Sequence, residues 1–268
     1  MNDVVMFDRP GAALAVHTWA STEPRAIVFY IHGTQSHAGW LFETGPALRV
    51  AGLTVIAVDR RGSGASEGTR GDITSYVTWC DDYAAALADT RTRYPKLPLL
   101  LVGQSFGGAL AVELARRADS PHDALLLCSP LLVPRAANAP PDAPVDQPIA
   151  ITTPDAWFCS RERYLAFMAA DDRRLRALTP RFHAARVAMA AEYLAAEGAL
   201  AAKPAMLVLP RHDRIVDLAT TRATFTKLTA SSGVIVELPT DDHYLEFSPA
   251  QRTLWQLEAL YATSAGLR

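Results

Sequence analysis

A serine flanked by glycines stands at position 105, where the sequence reads Gly103-Gln104-Ser105-Phe106-Gly107. The apolar run Leu99–Val102 precedes this motif, and the helical pattern Ala109–Arg117 follows it. A serine in a tight strand-to-helix turn projects its hydroxyl at the carboxyl edge of a sheet, and small neighbours suit the closely packed backbone there. The setting therefore favours Ser105 as a nucleophile over a glycine-rich turn that serves packing alone.

A serine nucleophile needs a base, because its hydroxyl reacts poorly at neutral pH. Three histidines lie well downstream of the serine: His183, His212 and His243. His243 follows the last apolar run, where a loop would return the imidazole over the sheet edge, so we favour it as the base. His183 falls in a helical pattern and is expected to pack or face solvent. His212 lies beside the acid candidate and remains a competing base.

The base in turn needs an acid that fixes its tautomer and stabilises the imidazolium form. Asp213 stands just past the apolar run Ala205–Leu209, on the edge that should face the serine, and is the favoured acid. Asp217 lies one helical turn later and suits a helix cap. The two aspartates directly before His243 are too close in sequence to reach its far ring nitrogen easily.

Acyl transfer also needs two backbone donors for the oxyanion that forms at the carbonyl. The amide of Phe106, directly after the serine, is the first candidate. The second is expected in the loop after the run Ala26–Ile31, which reads His32-Gly33-Thr34-Gln35. We favour the amide of Thr34, with Gly33 letting the backbone turn inward.

These residues need a sheet whose strands end at one edge. Apolar, β-branched runs alternate with helical patterns, which is typical of parallel strands covered by helices on both faces. An antiparallel hairpin at the sheet edge, Val4–Phe7 with Ala12–Trp19, brings the number of strands to eight. The sequence therefore predicts a doubly wound, mostly parallel eight-stranded α/β sheet. The six other predicted strands are Ala26–Ile31, Thr54–Val58, Leu97–Val102, Ala124–Cys128, Ala205–Leu209 and Val234–Leu238.

One segment, residues 131–202, interrupts this alternation. It opens with a proline-rich loop that includes Pro140 and Pro141 and becomes helical near Thr179-Pro180, an N-cap followed by a first-turn proline. No strand pattern appears in it, and loops of this length inside a domain are usually either functional or disordered. The continuation into aromatic-rich helices favours a cap over a flexible linker. We therefore predict an inserted helical cap at 131–202 on a core domain formed by 1–130 and 203–268.

The predicted cap is rich in aromatic and basic side chains. Its large apolar residues could line an acyl site, although helices bury such residues simply to attach themselves. Its arginines form either a solvated face or a contact for an anionic substrate. The apolar set is Trp157, Phe158, Tyr164, Phe167, Met168, Phe182, Met189 and Tyr193. The arginines are Arg161, Arg163, Arg173, Arg174, Arg176, Arg181 and Arg186.

Composition narrows the function classes further. The 268 residues carry a formal net charge of −2 and no basic run, so we expect no nucleic-acid partner. The N-terminus lacks the pattern of a secretory signal, and no segment is apolar over about eighteen residues, so we expect a cytoplasmic protein without an integral membrane segment. Cys80, Cys128 and Cys159 match no zinc spacing and are interpreted as reduced core thiols.

Several motifs occur together in one order along the chain: His32-Gly33, Asp59–Ser66 with its continuation Glu67–Gly71, Tyr94-Pro95, Gly103–Gly108, Asp213–Val216 and His243. With this set the chain resembles the α/β-hydrolase superfamily. The continuation after Ser66 makes it similar to the monoacylglycerol lipase-like and lysophospholipase-like (serine aminopeptidase-like) branch. Gln104 stands where this branch commonly has His, Ser63 replaces another His, and Arg211 replaces a Gly. These departures leave every catalytic group in place and indicate a divergent subgroup.

The resemblance implies a serine hydrolase that needs neither a metal ion nor an organic cofactor. Its expected partner is a small acyl substrate: a monoacylglycerol, a lysolipid or another small ester. An acyltransferase or thioesterase of a biosynthetic pathway could use the same residues with another acceptor or acyl donor. A ligand-binding protein without catalytic activity is the third hypothesis, and the complete Ser-His-Asp set disfavours it. An aspartate-dependent dehalogenase is disfavoured because Ser105 occupies the nucleophile position.

Overall fold

The computed structural model describes residues 2–134 and 144–264, so Pro140 and Pro141 of the predicted proline-rich loop lie outside the described residues. Ten strands lie within those ranges: β1 (Asp3–Arg9), β2 (Ala12–Trp19), β3 (Ala26–Ile31), β4 (Leu53–Val58), β5 (Leu99–Gln104), β6 (Ala124–Cys128), β7 (Ile149–Ala150), β8 (Ala177–Leu178), β9 (Ala205–Pro210) and β10 (Val234–Leu238). The α-helices of the same ranges are α1 (Thr44–Val50), α2 (Tyr76–Arg93), α3 (Phe106–Ala115), α4 (Glu162–Ala170), α5 (Pro180–Leu194), α6 (Leu218–Leu228) and α7 (Gln251–Ser264).

Eight of the strands form one sheet in the order β1-β2-β4-β3-β5-β6-β9-β10. The pairs β1–β2 and β2–β4 are antiparallel, and the five other pairs are parallel. The predicted edge hairpin and the mostly parallel eight-stranded sheet are therefore confirmed. The parallel strands β3, β5, β6, β9 and β10 end at one edge, and the loops that follow them gather there.

The sheet is covered on both faces, as its nearly continuous apolar strands require. Alternate residues of each strand point to opposite faces, so Phe29 packs in one cluster and Val28 in the other. The cluster around Phe29 includes residues of α2, α3, α5 and α6. The cluster around Val28 includes residues of α1 and α7.

The segment 131–202 contains short elements that the sequence did not predict. β7 and β8 pair as a two-stranded antiparallel ladder, Ile149 with Leu178 and Ala150 with Ala177. Two residues are too few to give a recognisable β pattern. Its long helix, α5, packs against α2 and α3 in the main core, while α4 contributes to a separate aromatic cluster with Trp40 and Phe247.

Exposure differs along the main elements. Helix α2 begins at Tyr76 after the cap Ser75; its Val77 is exposed, and its buried face includes Trp79 and Tyr83. Strand β10 has mostly exposed residues because it pairs on one side only. Within the described ranges, no helix has the length and apolar character that crossing a membrane demands.

Candidate active site

Ser105 lies in a sharp turn between β5 and α3. Its backbone angles are φ 52° and ψ −119°, a region that residues other than glycine rarely adopt. Three hydrogen bonds hold the turn in place: Ser105 N donates to Cys128 O, and Ser105 O accepts from Gly108 N and Leu131 N, each at 2.9 Å. These bonds offset the backbone strain, of about 1–3 kcal/mol for such a conformation.

The glycines of the motif allow the turn to pack against its neighbours. A Cβ atom on Gly107 would lie 2.1 Å from the carbonyl oxygen of Ile31, and one on Gly103 would lie 2.5 Å from that of Gly107. Both clashes are with backbone, which has little room to move. Any larger residue at these two positions would therefore push α3 away from β3 and β5.

His243 lies in the loop after β10, and its imidazole reaches the serine. Its Nε2 atom is 2.9 Å from Ser105 Oγ. The residue is fully buried, and the ring of Phe158 meets the imidazole edge to face at 5.7 Å. The predicted serine and histidine are thus brought into hydrogen-bonding contact across 138 positions of the chain.

Asp213 follows β9 and binds the other nitrogen of the same imidazole. Its Oδ2 atom lies 2.7 Å from His243 Nδ1, and both side chains are shielded from solvent. The second carboxylate oxygen accepts hydrogen bonds from Ile215 N at 2.7 Å and Val216 N at 3.0 Å. The backbone therefore fixes the carboxylate in the orientation that meets the imidazole.

The competing residues have other partners. The His212 ring lies 3.0 Å from Asp241 with both side chains exposed, and Asp217 caps α6 by accepting from Thr220 N at 2.7 Å. His183 lines the cavity beside Ser105, but the described contacts of its ring are with Arg186, at 3.2 Å, and with the Phe182 ring.

Gly33 and Thr34, in the loop after β3, lie next to the serine. A Cβ atom on Gly33 would be 3.4 Å from Ser105 Cβ, and both loop residues line the cavity in front of the serine. Phe106, the other predicted donor, is the first residue of α3, so its amide is one of the N–H groups at the helix start that have no acceptor within the helix.

Arg60, which lies within the motif Asp59–Ser66, supports this loop, a role that the sequence did not indicate. Its Nη1 atom donates to Gly33 O at 2.9 Å and its Nη2 atom donates to Thr34 O at 2.8 Å. The guanidinium lies 5.2 Å from the centre of the Phe106 ring, and the residue is 1% exposed. Burial lowers the pKa of Arg60 to about 10. No pattern in the sequence links position 60 to the loop at 33–34.

Asp59, the neighbour of Arg60, contacts several segments of the same region through its carboxylate. Its carboxylate accepts from Ala38 N at 2.6 Å and Ala65 N at 2.8 Å, and lies 3.2 Å from His17 Nε2. Burial alone would raise the pKa of Asp59, but the hydrogen bond and charge of His17, together with the Ala65 amide, lower it to about 2. The carboxylate therefore stays ionised at neutral pH and joins β2, β4 and the loop after β3.

A cavity of about 470 Å³ opens in front of Ser105. Of the large apolar residues that were predicted to line a site in the segment 131–202, Trp157 and Phe158 line the cavity. The others pack in the core clusters: Tyr164, Phe167, Met168, Phe182, Met189 and Tyr193. Gln104 also lines the cavity. Across residues 2–134 and 144–264, no three His, Cys, Asp or Glu side chains are grouped so as to hold a metal ion.

Comparison with known proteins gives related sequences over part of the chain. The monoacylglycerol lipase of Mycolicibacterium smegmatis is 29% identical over 121 residues, which cover 45% of this chain and 43% of that protein. The human monoglyceride lipase is 32% identical over 130 residues, which cover 48% of this chain and 43% of that protein. The aligned part of the chain thus spans less than half the length of these curated relatives.

A solved structure shows the same fold over nearly the whole chain. It is that of a soluble variant of the monoglyceride lipase from Saccharomyces cerevisiae in complex with a substrate analog. It superposes with a TM-score of 0.86 at 16% identity and covers 98% of this chain and 96% of that chain.

The family model described as serine aminopeptidase, S33, matches residues 22–247, well over half of the chain. The matched region contains Ser105, Asp213 and His243 and the sheet that positions them. The chain is therefore an α/β-hydrolase of the serine aminopeptidase (S33) family, in its monoacylglycerol lipase-like branch.

Proposed function

We propose that this protein is a serine hydrolase that cleaves a carboxylic ester through an acyl-serine intermediate. The observation that carries the proposal is the continuous chain of contacts from Asp213 through His243 to Ser105, with distances of 2.7 and 2.9 Å. A carboxylate, an imidazole and a hydroxyl in this order form the arrangement that activates a serine for attack on a carbonyl.

In the first step the Ser105 hydroxyl attacks the ester carbonyl. His243 Nε2 accepts the hydroxyl proton as the new C–O bond forms, and Asp213 holds the proton on Nδ1 and stabilises the imidazolium. The imidazolium then gives its proton to the departing alkoxide, and the alcohol leaves as the C–O bond to it breaks. The acyl group remains on Ser105.

Negative charge develops on the carbonyl oxygen during this step. The amides of Phe106 and Thr34 are the donors that we propose for it, since one follows the nucleophile directly and the other lies in the loop that contacts Ser105. Arg60 supports this assignment, because it binds Gly33 O, and the N–H of Thr34 in the same planar peptide points in the opposite direction to that carbonyl.

Water completes the cycle. His243 Nε2 takes a proton from a water molecule, whose oxygen attacks the acyl carbon, and the proton then returns to Ser105 as the acid leaves. The curated relatives are named for the hydrolysis of monoacylglycerols. We therefore propose a monoacylglycerol, a lysolipid or a small acyl ester as the substrate, and the segment 131–202 as the cap that covers it.

The proposal is tested by comparing the protein with its Ser105→Ala variant on a neutral short-chain ester such as butyl pentanoate. The wild-type protein should release one acid for each alcohol, and the variant should lose turnover by a factor of about 10³ or more. Added glycerol should not divert the acyl group, because water is the proposed acceptor. Equal turnover by both proteins would overturn the proposal.

A further inference from the structure

Arg186 is a buried cation at the wall of the cavity. It belongs to α5, lines the cavity together with Ser105, and is only 9% exposed. The described contacts of its side chain are with the His183 ring, 3.2 Å from Nη2, and with the Phe106 ring, whose centre is 5.7 Å from the guanidinium carbon. No carboxylate among the described residues pairs with it.

Arg186 differs in this respect from the other arginines of the segment 131–202. Five of them bind acceptors within the described structure: Arg161 with Gln251, Arg163 with Glu43, Arg174 with Asp155, Arg176 with backbone carbonyls and Arg181 with Asp72. The sixth, Arg173, is exposed. Among these arginines, and within the described residues, Arg186 is the one that has no carboxylate partner and is both buried and cavity-lining.

The charged side chains described in the cavity wall are all basic. Arg186 and Arg214 are among the described lining residues, and no Asp or Glu is. A third cation, Arg60, lies over the same Phe106 ring as Arg186. Burial and the charge of Arg60 lower the pKa of Arg186 to about 10, which leaves it protonated at neutral pH. A buried charge without a counter-ion is unfavourable, so an anion entering the cavity would be strongly attracted.

The same wall of the cavity also provides hydrogen-bond donors, which suit an anionic ligand. Arg186 Nε and Gln104 Nε2 are both buried N–H donors with no acceptor in the described structure. Both side chains line the cavity. Small side-chain movements would let these donors meet acceptor oxygens, and a carboxylate offers two of them.

We propose that Arg186 is a specificity-determining residue that binds an anionic group of the substrate. The substrate class is then an ester whose acyl or alcohol part carries a carboxylate or an equivalent anion. This inference rests on the proposed esterase function and narrows its substrate. A simple monoacylglycerol carries no such group, so this chain would differ in substrate from the relatives named above.

Binding to the Ser105→Ala protein tests the inference without turnover. Three ligands of matched size are titrated by calorimetry: neutral butyl pentanoate, butyl hydrogen glutarate with a carboxylate on the acyl end, and the pentanoate ester of γ-hydroxybutanoate with a carboxylate on the alcohol end. One of the two anions should bind at least about tenfold more tightly than the neutral ester, as expected for a charge-assisted hydrogen bond. The tighter one tells which end of the substrate Arg186 meets.

Variants then locate the source of the preference. Arg186→Gln should bring the ratio of affinities to within about threefold, while Arg186→Lys, which keeps the charge, should retain more of it. Arg173→Gln removes an exposed arginine of the same segment and should leave the ratio unchanged. Arg214→Gln tests the other cavity arginine and should reduce the ratio less than Arg186→Gln does.

Two results would overturn the inference: equal affinity for the anionic and neutral ligands, or a preference that survives Arg186→Gln. Neither result depends on catalysis. Turnover of butyl pentanoate by the protein with Ser105 intact tests the proposed function separately. An active esterase with no preference for anions would refute this inference alone, and an inactive protein that binds the anion would refute the proposed function alone.

Discussion

His243 Nδ1 lies 2.7 Å from Asp213 Oδ2, and neither side chain has exposed surface. The two residues leave the sheet from β9 and β10, which are neighbouring parallel strands. Their loops therefore emerge at the same edge, beside the end of β5 that carries Ser105. This buried contact determines which ring nitrogen faces the serine.

Asp213→Asn should lower kcat for a neutral ester by a factor of about 10³–10⁴, because an amide no longer favours the tautomer that accepts the serine proton. Asp217→Asn is the matched control, since asparagine also caps helices well and Asp217 caps α6. Steady-state kinetics should show near wild-type turnover for the control. A similar loss in both variants, or in neither, would exclude Asp213 as the orienting acid.

Arg60→Lys should lower kcat by about ten- to a hundredfold, because lysine cannot bind Gly33 O and Thr34 O at the same time. KM should change little, since the oxyanion forms only in the transition state. Arg61→Lys serves as the comparison, since Arg61 pairs with Asp82 instead. If KM rises while kcat is unchanged, Arg60 supports binding of the substrate and not the oxyanion loop.

Gly107→Ala should destabilise the fold by about 3 kcal/mol, since the added methyl group would meet the Ile31 carbonyl at 2.1 Å. Gly198→Ala provides the reference. Gly198 has φ +67°, and a Cβ atom there would meet only an ordinary van der Waals contact, Ala230 Cβ at 3.8 Å, so the cost is that of the backbone conformation, about 1 kcal/mol. Urea unfolding measures both values. Equal destabilisation would show that the turn after β5 relaxes without strain.

The pH dependence of stability should change in Glu246→Gln. Glu246, which follows His243 closely in the chain, is fully buried, accepts a hydrogen bond from the Tyr30 hydroxyl, and lies near a second buried carboxyl, Glu258. Burial raises the pKa of Glu246 to about 8 from an ordinary value of 4.5. Folding therefore favours the protonated form, and the stability that it contributes is complete below pH 4.5 and is lost as the pH rises through 8.

Between pH 5 and 8 the wild-type protein should consequently lose about 3 kcal/mol more stability than Glu246→Gln, whose amide cannot ionise. Urea titrations at both pH values provide the comparison, with exposed Glu23→Gln as the control. Parallel loss of stability in wild-type and Glu246→Gln would mean that Glu246 does not titrate in this range.

The sequence predicted the architecture because apolar runs and turn residues are local signals. Ser105, Asp213 and His243 each follow an apolar run, and parallel strands bring such positions to one edge. The structure places these three residues in contact. The roles of Thr34 and Phe106 remain predictions.

Other features could not be predicted, because they depend on contacts between distant segments. Arg60 acts on a loop 26 residues earlier, and Arg186 differs from its neighbouring arginines only in what surrounds it. The buried face of α2 has the same origin, since Val77 faces solvent while Trp79 and Tyr83 meet the core. Periodicity gives the spacing of residues on a helix and not the partner of each face.

Covalent labelling shows whether Ser105 is an activated nucleophile. A fluorophosphonate reacts with a serine only when that serine is activated, so the folded wild-type protein should gain one adduct, and peptide mass spectrometry should place it on Ser105. The adduct should be absent from Ser105→Ala, and it should form much more slowly in His243→Gln, which lacks the base. A folded wild-type protein that stays unlabelled, or that is labelled at a residue other than Ser105, would contradict the account.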